Sequence, residues 1–112
     1  MPGRATEVVP KEFVGETYYT GEDAELEFWH YVSGTLTDPD TSYKICVTDP
    51  SGQVTVAATT DLVKSATGKY AYEYAISSSA LHGTYKAQAI MIHGTATNME
   101  GYGTFQVEAA VG

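Results

Sequence analysis

Cysteine, basic side chains and long apolar runs are what this chain of 112 residues has least of, and each scarcity excludes something. Cys46 is the single cysteine, so no internal disulfide can form and the fold does not depend on an oxidising compartment. Six Lys and Arg stand against fourteen Asp and Glu, for a formal charge of -8. Such a surface repels phosphate backbones and anionic lipid alike, so neither nucleic acid nor a membrane is an expected partner. No apolar run is long enough for a bilayer-spanning helix, and the stretch Met1 to Glu7 lacks the apolar segment of a secretory signal. The expectation is a soluble domain made in a cytoplasm. Apolar residues at helical spacing are also missing, as is any internal repeat.

What the chain does have is alternation. In Thr67 to Ile76, three tyrosines recur at every second position. Tyr70, Tyr72, Tyr74 and Ile76 therefore share one face of a strand and belong in a core, while Lys69, Ala71, Glu73 and Ala75 share the other. Gly68 before the run and Ser77 to Ser79 after it are turn residues.

The same reading extends along the chain. Residues 1 to 20 form an N-terminal arm with extended pieces at Thr6 to Val9 and Glu12 to Tyr19, and Pro10 argues against an interior strand there. Ala24 to Val32 is a strand whose inner face carries Ala24, Leu26 and Phe28 and whose outer face carries Glu25, Glu27, Trp29 and Tyr31. Ser33 to Thr41 reads as a loop. Tyr43, Ile45 and Val47 mark the next strand. Asp49-Pro-Ser-Gly52 has the proline and glycine of a type I turn, and Val54 to Ala58 returns from it. Thr59 to Thr67 crosses to the tyrosine strand. Thr84 to Ile92 turns Tyr85, Ala87, Ala89 and Met91 inward. The Gly, Thr and Asn of His93 to Gly103 read as a loop, and Thr104 to Glu108 closes the chain. About seven short strands between turn signals predict an all-β, antiparallel Greek-key sandwich over residues 21–112, preceded by the arm.

The succession Gly21-Glu-Asp23, Asp38-Pro-Asp40, Asp49-Pro-Ser-Gly52, Gly68-Lys-Tyr-Ala-Tyr-Glu-Tyr74 and Gly83-Thr-Tyr-Lys-Ala87 resembles an immunoglobulin-like sandwich of the macroglobulin or fibronectin type III kind, over roughly residues 20 to 108. The resemblance implies a tyrosine corner in which Tyr85 bonds back to main chain. The paired Cys and Trp signature of antibody domains is absent. A sandwich of this kind without a signal segment is similar to small virion proteins of tailed bacteriophages, which coat the capsid or join head to tail. That similarity implies other virion proteins, and the chain itself, as partners, and assembly in the host cytoplasm.

Chemistry is harder to find. Cys46 with His30, His82 or His93 carries no signature of a nucleophile and base, and a structural thiol is the simpler reading. The histidines lack metal-site spacing. Asp38, Asp40 and Asp49 are the oxygens a calcium ion would use, although Asp-Pro-Asp is also ordinary turn chemistry. Glu25 and Glu27 share an exposed strand face, unlike the cleft carboxylates of a glycoside hydrolase. No cofactor motif and no catalytic arrangement is spelled out, so a small hydrolase ranks last. Contact is the better expectation, with Trp29 and Tyr31 beside carboxylates, and with Val8, Val9, Phe13, Tyr18 and Tyr19 of the arm either joining that patch or covering it. The alternative is a carbohydrate-binding or adhesive module with Trp29, Tyr31 and Tyr102 as its platform. Of the adjacent Tyr18 and Tyr19, one must point outward.

Overall fold

A computed structural model describes residues 6–39, 42–59, 62–93 and 96–110, and among them every regular element is a strand. In order these are β1 (Thr6–Lys11), β2 (Thr17–Tyr19), β3 (Asp23–Val32), β4 (Thr35–Leu36), β5 (Ser42–Thr48), β6 (Val54–Thr59), β7 (Val63–Ala66), β8 (Lys69–Ala75), β9 (Gly83–His93) and β10 (Ala96–Glu108). The first sheet runs β1-β3-β8-β7, with the short β4 also on β3; the second runs β2-β10-β9-β5-β6. This is a two-sheet β-sandwich, as the alternation predicted, and of the immunoglobulin-like kind that the resemblance implied.

The tyrosine strand sits in the middle of the first sheet, paired antiparallel to β3 from Asp23↔Ala75 to Trp29↔Lys69. Tyr70, Tyr74 and Ile76 are buried and Tyr72 packs partly against the core. Facing them across the sandwich are Ile45 and Val47 of β5, Tyr85, Ala87, Ala89 and Met91 of β9, and Phe105 and Val107 of β10. Rings connect the layers: Tyr74 of β8 meets Tyr85 of β9 at 6.3 Å, and Tyr43 of β5 meets Tyr70 of β8 at 4.6 Å. The Tyr85 hydroxyl donates to the Leu81 carbonyl at 2.8 Å, the bond that a tyrosine corner implied.

Residues 6–19 contribute a strand to each sheet. β1 lies antiparallel against β3 at an edge of the first sheet, where Pro10 is tolerated. The backbone then turns at Glu12, whose φ is 66°, and drives Phe13 into the core at 0% exposure. Phe13 packs on Phe28 at 5.4 Å and edge-on to Phe105 at 6.0 Å, so one side chain ties both sheets. A buried phenylalanine contributes about 1.5–3 kcal/mol of transfer free energy. Gly15 N–H donates to Thr104 O at 2.9 Å, and β2 finally pairs with β10. That pairing is parallel, so the sandwich is not antiparallel throughout.

Several expectations need correction. Only Thr17–Tyr19 of the Glu12 to Tyr19 stretch is a strand. The loop expected over residues 33–41 contains β4, reached through a two-residue turn at Ser33 and Gly34, both at positive φ (51° and 81°) as a type I′ hairpin requires. The crossover 59–67 contains β7, whose four residues are all exposed and so show no alternation. The expected loop 93–103 is largely strand, because β10 begins at Ala96 and follows β9 through an irregularity between Asn98 and Gly101. The Asp49 turn is as predicted, with Gly52 N–H donating to Asp49 O at 3.0 Å.

Candidate functional site

Strand alternation places Glu25, Glu27, Trp29 and Tyr31 on the outer face of β3, opposite the buried Leu26, Phe28 and His30. Register then decides their neighbours. Lys11 of β1 lies across from Glu27, Val9 across from Trp29 and Glu7 across from Tyr31; on the other side Lys69 of β8 lies across from Trp29. Trp29 is therefore held from three directions. The Lys11 ammonium sits 4.5 Å and the Lys69 ammonium 4.2 Å from the ring centre, and the indole Nε1–H donates to Glu27 Oε2 at 3.0 Å. Each cation over the ring contributes about 0.5–1 kcal/mol at such an exposed position.

Below Trp29 the same face becomes acidic. Glu25 and Glu73 stand directly opposite each other on β3 and β8, where like charges repel. With Asp23, Val63, Ser65 and Ala71 they line a shallow depression of about 380 Å³. Val63 is 67% exposed there. A second hollow beside it is lined by Glu12, Glu16, Tyr18, Glu25 and Glu27. Tyr18 is half-buried with its ring edge-on to Phe105 at 5.6 Å, and Tyr19 is the partner that faces out. Burial, then the charge of Glu16, raises the Tyr18 hydroxyl above its ordinary pKa.

The structure thus separates the residues that the sequence grouped. Val9, Trp29 and Tyr31 share the outer face. Val8 and Phe13 are buried in the core beneath it, and as folded they neither cover that face nor reach a partner. Lys11, Val63, Lys69 and Glu73 complete the patch, yet alternation within one strand could not assign them to it. Only the pairing of β1, β7 and β8 brings them alongside β3.

Asp49 acts within its own turn, whereas Asp38 ties the segment after β4 to β7 and to the turn before β8. Asp38 accepts from the Lys64 ammonium at 2.6 Å and from Gly68 N–H at 2.8 Å, and these bonds, the lysine's first, hold its carboxyl below the usual pKa. Asp49 Oδ1 accepts from the Ser51 hydroxyl at 2.7 Å and from the amides of Ser51 and Gln53, with the same effect, led by the Ser51 hydroxyl. Asp40 lies outside the described residues. Among those described, no three His, Cys, Asp or Glu side chains gather as metal ligands would.

Two of the pairings considered for catalysis and for sugar binding are held apart by the sandwich. Cys46 projects from the outer side of the second sheet, between the buried Ile45 and Val47, whereas His30 is buried on the inner side of the first. Glu25 and Glu27 stand on an open strand face. Tyr102 belongs to the second sheet, beneath Lys86 at 5.5 Å, so it cannot share a platform with Trp29.

No protein-family model matches the chain, and no curated protein matches it. Solved structures do. Crystal structures of Salmonella alpha-2-macroglobulin, as a Y1175G mutant and after reaction with methylamine, superpose with a TM-score of 0.74 at 22% identity over 99% of this chain. The chain spans 7% of the length of that protein. E. coli alpha-2-macroglobulin gives 0.68 at 21% identity over 97% of the chain. The Lin-41 filamin domain, of similar size, gives 0.59 at 17% identity, covering 94% of this chain and 93% of its own. At such identities the likeness speaks to architecture: this is an immunoglobulin-like β-sandwich, folded like the domains of macroglobulins and filamins.

Proposed function

We propose that the domain is a non-catalytic protein-interaction module that docks a partner on the outer face of its first sheet, around Trp29. More narrowly, we propose a structural protein of a tailed-bacteriophage particle, which coats the capsid or joins head to tail and assembles in the host cytoplasm. The observation that carries the docking surface is Trp29 itself, a large ring fixed by Lys11, Lys69 and Glu27 on an open face. Pre-fixed aromatic rings concentrate binding energy because little rotamer freedom is left to lose on contact. The neighbouring Glu25 and Glu73 add a repulsion that a partner's cation would relieve. Two features support the virion reading. A body closed without a disulfide suits assembly in a reducing cytoplasm, and Phe13 locks the two sheets into the rigid unit a particle requires.

Binding of the purified chain to isolated capsid and neck proteins tests both levels. W29A is expected to weaken binding at least tenfold and Y102A, on the other sheet, to leave it unchanged. Equal loss in both, or loss in Y102A alone, rejects the Trp29 face. Mass spectrometry of purified particles tests the narrower reading, and absence of the chain from them removes the virion role while leaving the docking surface in place.

A further inference from the structure

The six basic residues are Arg4, Lys11, Lys44, Lys64, Lys69 and Lys86. Arg4 lies outside the described residues, Lys11 and Lys69 flank Trp29, and Lys64 pairs with Asp38. Lys44 and Lys86 remain, and both project from the outer face of the second sheet, on β5 and β9, the two strands that pair there with Thr48 opposite Lys86 and Lys44 opposite Ile90. Around them stand uncharged side chains: Cys46, Gln88, half-buried Ile90 and exposed Tyr102. The outer face of the first sheet is the opposite in sign, with Asp23, Glu25 and Glu73 around a depression that holds no lysine. One molecule therefore carries an acidic β-face and, on its far side, a face on which Lys44 and Lys86 outnumber Glu108 at the end of β10 among the described residues.

We infer that a second copy of this chain is a partner of the acidic face: the Lys44 and Lys86 face of one molecule docks against the Glu25 and Glu73 face of the next. The inference rests on the docking surface proposed above and names one occupant for it. Glu25 and Glu73 are forced together by strand register and repel, and a lysine brought up by a neighbour relieves that repulsion; Lys44 and Lys86, four residues apart along their paired strands, offer two such cations. The contact joins two different surfaces, so it is heterologous; it closes as a ring or continues as a stack rather than ending at a two-fold dimer. Salt acts on it in two ways. The net charge of -8 repels neighbours at long range, and that repulsion is screened once the Debye length falls to about 10 Å near 0.1 M salt. The contact charges themselves are screened out near 1 M, where the length is about 3 Å.

Light scattering of the full chain at high concentration reads the result. The average mass is expected to exceed twice the 12.0 kDa of one chain near ~0.1 M salt and to return to it near ~1 M. The variants K44E/K86E and E25K/E73K, each checked for folding by circular dichroism, carry two like-signed faces and are expected to stay monomeric alone. Mixed in equal amounts they regain association, because each now offers the face the other lacks. A wild type that is monomeric at every salt concentration overturns the inference, as does a mixture of folded variants that fails to associate. The Trp29 docking surface is judged separately, since binding of W29A to other proteins does not depend on these masses.

Discussion

His30 and Thr37 are joined by two hydrogen bonds. The Thr37 amide donates to the His30 carbonyl at 3.0 Å, and the His30 ring Nδ1 donates to the Thr37 carbonyl at 2.6 Å. A carbonyl only accepts, so Nδ1 must carry the proton and Nε2 is left with a lone pair. That Nε2 is buried and has no hydrogen-bond partner among the described residues. The ring thus exchanges one well-made bond for one unmet acceptor, and what it achieves is to tether the segment after β4 to the core.

Both bonds use the backbone of residue 37, and one of them uses the ring of residue 30. T37A is therefore expected to shift stability by no more than about 0.5 kcal/mol. H30A removes the ring bond and leaves a cavity, at an expected loss of about 2–4 kcal/mol. Urea unfolding of the two variants measures the difference, and equal effects would show that the ring is not the tether.

Gly68 stands where the same tether meets the tyrosine strand. A Cβ there would lie 2.8 Å from Thr37 N and 2.9 Å from His30 O, and the φ of 75° is left-handed. Both atoms are backbone and cannot swing aside. G68A should lose about 3 kcal/mol or more. Gly52 has a similar φ of 92° but open space around it. G52A, which meets the conformational penalty alone, should lose about 1–2 kcal/mol. Thermal melts separate the two.

Stability should fall at both ends of the pH scale. The folded pKa values of Asp38 and Asp49 are lowered from 3.8, so their contribution is present above that value and disappears as pH falls through the folded values. Unfolding free energy is expected to be level from neutral pH down to about 5 and to drop below about 4, with a shallower drop in D38N and D49N. Tyr70 behaves oppositely: burial, helped by the Asp38 carboxylate, pushes its hydroxyl from 10.0 up to about 12. The unfolded chain then loses that proton first, so stability declines as pH rises through 10 toward 12, and Y70F should flatten the decline. Chemical unfolding across the pH range checks both limbs.

Residue alternation made the central strands legible, because Tyr70, Tyr74, Leu26 and Phe28 obey the period of the pleat and nothing competes with it. The outer row of Glu25, Glu27, Trp29 and Tyr31 was legible for the same reason. Pairing was not. Lys11 and Lys69 are remote in sequence from Trp29 and from each other, and only strand register assigns them to its ring. Composition misled at β10, where glycine suggested a loop. A Cβ on Gly103 would lie 2.6 Å from Val14 Cγ2 and 3.1 Å from the Phe13 ring, so glycine is there to admit the segment after β1 against the strand. Phe13 itself follows a proline and a lysine with no alternating context, and its burial comes from a turn at Glu12 that no short-range pattern announces.

The parallel pairing of β2 with β10 has a consequence for how the chain is made. Ala110 N–H bonds Thr20 Oγ1 across a separation of 90 residues, and Thr17 to Tyr19 lie against Gln106 to Glu108. A ribosome that has released β1 to β9 has therefore released a protein whose Phe13 lacks the Phe105 ring it packs on and whose β9 has a bare flank. Closing so long a loop is entropically slow, and until it closes the nascent chain shows an unpaired strand to everything around it. In this fold the sequence stretch translated early waits for the one translated late, and the interval between them is when the molecule is most open to pairing with the wrong neighbour.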